Sequence, residues 1–152
     1  MSIPPDSSAT VQPPGCTLEQ YSAAKRLPIE FLRELGLSDT HVSGMPALRI
    51  PYRDGAGEEV AVRLRLGLEK SASGDGRFRW RSGDRAQPYG LWLLDRARTA
   101  GYLVLVEGES DAHTLWRHDF PALGIPGATT WREDWAGRLD GIATVYVCRA
   151  TA

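Results

Sequence analysis

The chain is poor in the residues that build disulfide or zinc scaffolds. Its 152 residues hold two cysteines, Cys16 and Cys148, and three dispersed histidines, His41, His113 and His118. No CxxC pair or Cys/His cluster is present, which argues against a disulfide framework and a structural zinc site. No secretory signal is visible, and no apolar run approaches the roughly 20 residues of a membrane-spanning helix. A cytoplasmic protein without a membrane partner is the expectation. Excess charge is lacking too: 18 basic residues face 19 acidic ones, for a formal net charge of -1. Bulk charge therefore names no partner. The GxxxxGK[ST] phosphate loop is absent, so these residues encode no helicase motor of that type.

What is present is an uneven distribution. From His41 to Ala100 there are eleven Lys/Arg against seven Asp/Glu; from Gly101 to Ala152 there are four against seven. A basic segment followed by an acidic one fits a polyanion-binding surface beside a metal site, and equally ordinary scatter in a short chain. The 42% hydrophobic content suits one compact domain, or one small domain with an appendage.

Residues 1–15 are rich in Pro, Ser and Thr and read as a disordered lead-in. A first unit is expected over residues 16–100. Thr17 can cap a helix bearing Leu18, Tyr21 and Ala24. Pro28 can open a second helix over Ile29, Leu32 and Leu35, closed near Gly36. The period then changes to two. Leu48, Ile50 and Tyr52 alternate with Arg49 and Arg53, and after "DGAG" the apolar set Val60, Val62 and Leu64 alternates with Arg63 and Arg65. A third run sets Phe78 and Trp80 against Arg77, Arg79 and Arg81. This predicts a three-stranded antiparallel sheet with helices. Its seven arginines, 49, 53, 63, 65, 77, 79 and 81, would share one face, shaped for phosphate or simply solvated among Glu58, Glu59 and Asp84. Tyr52 and Trp80 fall on the other parity and read as core. A short helix over Leu91–Ala100 ends at Gly101.

From residue 101 to 152 the rhythm is βαβαβ: "YLVLVE", a helix over "SDAHTLWRHD", "FPALGI", a helix over "WREDWAGRLDG", then "IATVYVC". This predicts a parallel sheet with buried strands, and an α/β class overall with an α+β first part. Trp116, Trp131 and Trp135 read as packing, and His113 as a helix-surface residue. The chemistry concentrates in "EGESD". Glu107 ends a buried strand, where ligands of open α/β sheets gather. Ser110 and Asp111 are explained by helix capping and the helix dipole. Glu107 is not, because a carboxylate there costs desolvation unless a cation compensates it.

The stretch "VLVEGESDAHTL" resembles the first signature of the Toprim domain, shared by bacterial and phage primases, topoisomerases and some nucleases. Glu107, Gly108 and Asp111 match position by position. "ALGIPGATTW" resembles the second strand and its loop, with Gly127 as the expected motif glycine and Gly124 as the alternative. The stretch from "ALRIPYRDG" to "PYGLW" resembles the N-terminal part of phage-type and mobile-element primases. The resemblance spans roughly residues 17 to 148 and implies RNA primer synthesis from nucleoside triphosphates on single-stranded DNA, with a replicative helicase as a further partner. It implies Mg²⁺ or Mn²⁺ at Glu107, with Glu109 and Asp111 beside it. It also implies an Asp-x-Asp pair just after the third strand, where this chain has Arg149-Ala150-Thr151-Ala152. Asp134 and Asp140 lie before that strand and are poor substitutes. The expectation is a C-terminally truncated Toprim sheet, weak or inactive alone, with an exposed last strand. A non-catalytic nucleic-acid-binding fragment and a Toprim nuclease remain open beside it.

Overall fold

The computed structural model describes residues 15–69, 76–127 and 130–148. The expected lead-in, apart from Gly15, lies outside the described residues, as do most of "SASGDG", part of "PGATT", and Arg149–Ala152.

The helical hairpin forms as the sequence predicts. Helix α1 spans Leu18–Lys25 and α2 spans Ile29–Glu34. Thr17 and Gln20 cap α1 reciprocally: Gln20 N–H donates to Thr17 Oγ1 at 3.1 Å and Thr17 N–H donates to Gln20 Oε1 at 2.9 Å. Leu18 and Tyr21 turn inward; Ala24 is exposed.

Four strands, not three, follow: β1 Ser38–Val42, β2 Met45–Arg53, β3 Glu59–Arg65 and β4 Phe78–Trp80, antiparallel in that order. β1 escapes periodicity because "SDTHV" is a polar edge strand with no apolar alternation. It turns into β2 through Ser43 and Gly44, both at positive φ (51° and 78°), as a two-residue hairpin of matching twist requires. Asp39 ties this edge to α1 by accepting Leu18 N–H at 2.8 Å.

Register corrects the expected arginine face. Leu48 pairs with Arg65, Ile50 with Arg63 and Tyr52 with Ala61. Arg63 in turn pairs with Trp80 and Arg65 with Phe78. Directly paired residues share a face. Arg63 and Arg65 therefore lie on the inner face with Leu48, Ile50 and Tyr52, while Arg49, paired with Leu64, and Arg79, also paired with Leu64, lie on the outer one.

A 3₁₀ turn, Leu91–Leu93, leads into α3, Leu94–Ala100, which Gly101 caps. The parallel sheet comprises β5 Tyr102–Glu107, β6 Ala122–Ile125 and β7 Thr144–Val147, in the order β6-β5-β7. Helix α4, Gly108–Arg117, joins β5 to β6; a 3₁₀ segment, Glu133–Leu139, stands where a helix is predicted before β7. Alternate residues of β5 enter two cores. Val104 and Val106 join α1, α2, β2 and α4; Leu103 and Leu105 join α3, β6 and Trp135. The first core crosses from the antiparallel half into the parallel half. β7 departs from the expected buried strand: all four of its residues are exposed, Tyr146 by 57% and Val147 by 64%. Among the described residues it is an edge strand of the parallel sheet.

The strand–helix junction at the cleft depends on one close approach. Gly124 of β6 lies so near the β5–α4 corner that a Cβ on it would sit 2.5 Å from the Gly108 carbonyl oxygen. Gly124→Ala should destabilise the protein by about 1–3 kcal/mol, as overpacking against fixed backbone does, lowering the urea midpoint. Gly55→Ala, where a Cβ meets nothing within 4 Å, should stay within about 0.5 kcal/mol.

Candidate functional site

The carboxyl end of β5 opens onto a cleft of about 390 Å³ lined by Lys25, Arg63, Arg65, Arg77, Phe78, Glu107, Gly108, Glu109, Ser110 and Gly127. Its position follows from chain geometry. Glu107 closes the strand and is the N-cap of α4, with extended backbone. Gly108 takes φ +72°, which a side chain would strain, and this turns the chain at once into the helix. The helix thus starts two residues before the Ser110 cap that the sequence suggests. Ser110 and Asp111 lie within its first turn, and Asp111 points to solvent.

The carboxylates of "EGESD" therefore separate. Glu107 is half-buried at the cleft rim. Glu109 is 1% exposed. It accepts hydrogen bonds from the Tyr52 hydroxyl at 2.5 Å and from Arg63 Nη1 at 3.1 Å, both on Oε1. Its Oε2 and the Nε of Arg63 are buried without a partner. Burial first, and the Glu109 carboxylate second, push the Tyr52 phenol well above its ordinary value.

Three cations join Arg63 at the cleft. Arg65 is 2% exposed; its Nε and Nη2 donate to the carbonyls of Gly67 and Leu68, and its guanidinium lies 5.0 Å from the Phe78 ring centre. Arg63 and Arg77 lie 4.3 Å and 5.2 Å from the same ring. Lys25 comes from the end of α1. Burial, and next the Arg65 guanidinium, lower the Lys25 pKa, against an opposing pull from Asp111. A cation held among cations favours an anionic guest. Sequence reasoning missed Lys25, because only the fold brings the last turn of α1 to the end of β5.

The outer arginines sit differently. Arg49 makes two bonds to Glu59, at 2.8 Å and 2.9 Å, and Arg81 reaches Asp84 at 2.9 Å and Glu59 at 3.5 Å. The Arg49 hydrogen bond holds the Glu59 carboxyl below its ordinary range. Arg53 lies by the Gly57 carbonyl, at 3.5 Å, and Arg79 is exposed. The sheet thus divides the seven predicted arginines between a cleft group, Arg63, Arg65 and Arg77, and an outer group in which Arg49 and Arg81 pair with carboxylates.

Behind the cleft lies a buried group that the sequence did not reveal. His113 is fully buried on α4, not on its surface. Its Nδ1 is 2.8 Å from the Tyr21 hydroxyl and its Nε2 is 2.6 Å from the Tyr89 hydroxyl. A neutral imidazole donates through one nitrogen and accepts through the other, so it can serve both tyrosines at once. Burial, then Arg65, lowers its pKa from the ordinary 6.5 to about 3. Trp116, one turn further on, donates from Nε1 to the Ala122 carbonyl at 3.0 Å.

A divalent ion would need several oxygen ligands. Among the described residues no three His, Cys, Asp or Glu side chains converge to hold one. Glu109 is engaged by Tyr52 and Arg63, Asp111 faces solvent, and Asp134 and Asp140 do not line the cleft. The described residues thus do not fit a metal centre. Gly127, at the far margin, follows β6 at φ +98°. No helix among the described residues is long and apolar enough to cross a membrane.

The antiparallel sheet docked on a parallel one is similar in fold to the catalytic cores of primases. The zinc-binding and RNA polymerase domains of Aquifex aeolicus primase match it with a TM-score of 0.66 and 15% identity, over 85% of this chain and 41% of that one. The primase fragment of the bacteriophage T7 primase-helicase protein matches with a TM-score of 0.62 and 18% identity, over 94% and 61%. A DnaG primase catalytic domain bound to ssDNA matches at 0.64 and 15%, over 86% and 52%. The chain spans about half the length of these neighbours, and identities this low show the fold alone. No protein-family model and no curated protein sequence matches it.

His113 gives the site a pH signature. Its folded pKa lies below the unfolded value, so as pH falls the unfolded chain takes the proton first. The stability it confers is complete above about pH 6.5 and is lost as pH falls from there towards 3. The loss approaches about 1.4 kcal/mol per pH unit. His113→Gln, which still donates and accepts but does not titrate, should unfold in urea with a visibly shallower pH dependence over that window. Identical slopes would contradict this.

Proposed function

We propose that this chain is a DNA-primase-like protein of Toprim type, whose cleft takes single-stranded DNA and the phosphates of nucleoside triphosphates. The observation that carries the reading is the convergence of Lys25, Arg63, Arg65 and Arg77 around Glu107 at one strand end, on the fold of primase cores. Guanidinium groups match phosphate oxygens in a planar fork, and several cations along one cleft release counterions from a bound backbone. The ssDNA bound by the DnaG neighbour supports that ligand class. The T7 neighbour is part of a primase-helicase protein, which extends the proposal to a replicative helicase as partner.

Glu107 is the group placed to act on a bound nucleotide. Its carboxylate stands at the rim of a cationic cleft, where it could accept a proton from an attacking hydroxyl. Mg²⁺ or Mn²⁺, as the Toprim resemblance implies, needs oxygen ligands that the described residues do not bring beside Glu107. No metal-dependent step is assigned to them. That same shortage favours a second reading: a nucleic-acid-binding protein without catalysis. For these residues alone, we expect binding with little or no primer synthesis.

Fluorescence anisotropy with an oligo-dT strand across a salt series tests binding. The affinity should fall with salt, and Lys25→Gln with Arg77→Gln should weaken it and flatten the logarithmic slope by about 0.7 for each phosphate no longer neutralised. Arg49→Gln with Arg81→Gln on the outer face should change it little. Binding that ignores salt, or weakening confined to the outer pair, would overturn the reading. A primer-synthesis assay with either metal separates the two versions: synthesis that Glu107→Gln abolishes establishes the primase, and binding without synthesis establishes the second reading.

A further inference from the structure

We infer that Glu109 is a positioning residue that aims the Arg63 guanidinium at the cleft, so that a carboxylate strengthens the binding of an anion beside it. This rests on the reading of the cleft as a phosphate site. Glu109 is the second residue of α4, so the turn that presents Glu107 also fixes Glu109. Its Oε1 holds Arg63 Nη1 on one side and the Tyr52 hydroxyl on the other. Tyr52 is itself immobilised, with the Trp80 and Tyr89 rings each 4.8 Å away. The guanidinium meets the Phe78 ring at 4.3 Å and the Trp80 ring at 5.3 Å, and the Arg63 side chain is only 13% exposed.

Arg63 is a long side chain whose freedom would be lost on gripping a ligand, and these neighbours remove it beforehand. The pair is joined by one hydrogen bond although the two groups could make two; Arg63 Nε and Glu109 Oε2 have no partner. Glu109 thus restrains Arg63 without saturating it. The unpartnered Nε is buried, and Nη2 is the donor left for a phosphate oxygen, in a cleft that Lys25, Arg65, Arg77 and Glu107 also line.

Coulomb's law alone predicts the opposite effect. Removing a negative charge next to an anion site should tighten anion binding; removing a positioning residue should loosen it. Calorimetric titration of the full chain with sodium tripolyphosphate distinguishes the two. Glu109→Gln should bind about three- to tenfold more weakly, within the net range of a typical hydrogen bond. Tyr52→Phe, which changes no charge, should weaken binding by a smaller factor. Arg63→Gln should bind weakly, and adding Glu109→Gln to it should cost nothing further. Unchanged or tighter binding by Glu109→Gln overturns the inference. If that variant does not fold, unchanged binding by Tyr52→Phe does so. A wild-type chain that does not bind tripolyphosphate overturns the phosphate reading itself, and this inference with it.

Discussion

The buried face of α4 holds the two halves of this molecule together, and it does so with polar groups. Glu109 and His113 are one helical turn apart, and both are sealed from solvent. They reach Tyr52 on β2, Tyr21 on α1 and Tyr89 ahead of the 3₁₀ turn, while Arg63 of β3 completes the set. Buried donors and acceptors left unmatched are costly, so each partner specifies where the next must stand. An apolar seam alone could slide; here both imidazole nitrogens must also meet their tyrosine hydroxyls.

The cleft follows from that arrangement. Docking the inner face of the antiparallel sheet against α4 brings Arg63 and Arg65 to the end of β5, and α1 brings Lys25. The same docking divides the acidic motif: Glu107 stays at the rim, Glu109 goes inside and Asp111 goes to solvent. The outer group has four arginines, and there Glu59 bridges Arg49 and Arg81. Exposed pairs of this kind contribute little stability.

Much of this is legible from residue pattern. The Thr17 cap, the "DGAG" turn, the extent of β5 and the Gly101 stop all rest on local chemistry that tertiary packing does not override. Glu107 at a strand end and the glycine after it are legible for the same reason. What escapes depends on pairing. Period two says that Val62 and Arg63 face opposite ways, but not which of them faces inward. Register against β2 places Arg63 and Arg65 inside, where aromatic rings and Glu109 receive them. Pattern puts His113 on the helix surface and the Toprim resemblance puts Glu109 beside a metal; neither sees the tyrosines that hold them, 92 and 57 positions away. β1 escapes because a polar edge strand lacks the apolar alternation that the pattern encodes; β7 is legible as a strand, but its exposure is not.

The claim at the centre is that the polar network through α4 makes the two sheets one cooperative unit with the cleft at its seam. Native-state hydrogen exchange under increasing denaturant tests it most directly. The amides of β2 and β3 and those of β5 should merge into one opening reaction with a common free energy. Exchange of β5 through a separate opening of clearly lower free energy, with β2 and β3 still protected, would contradict it.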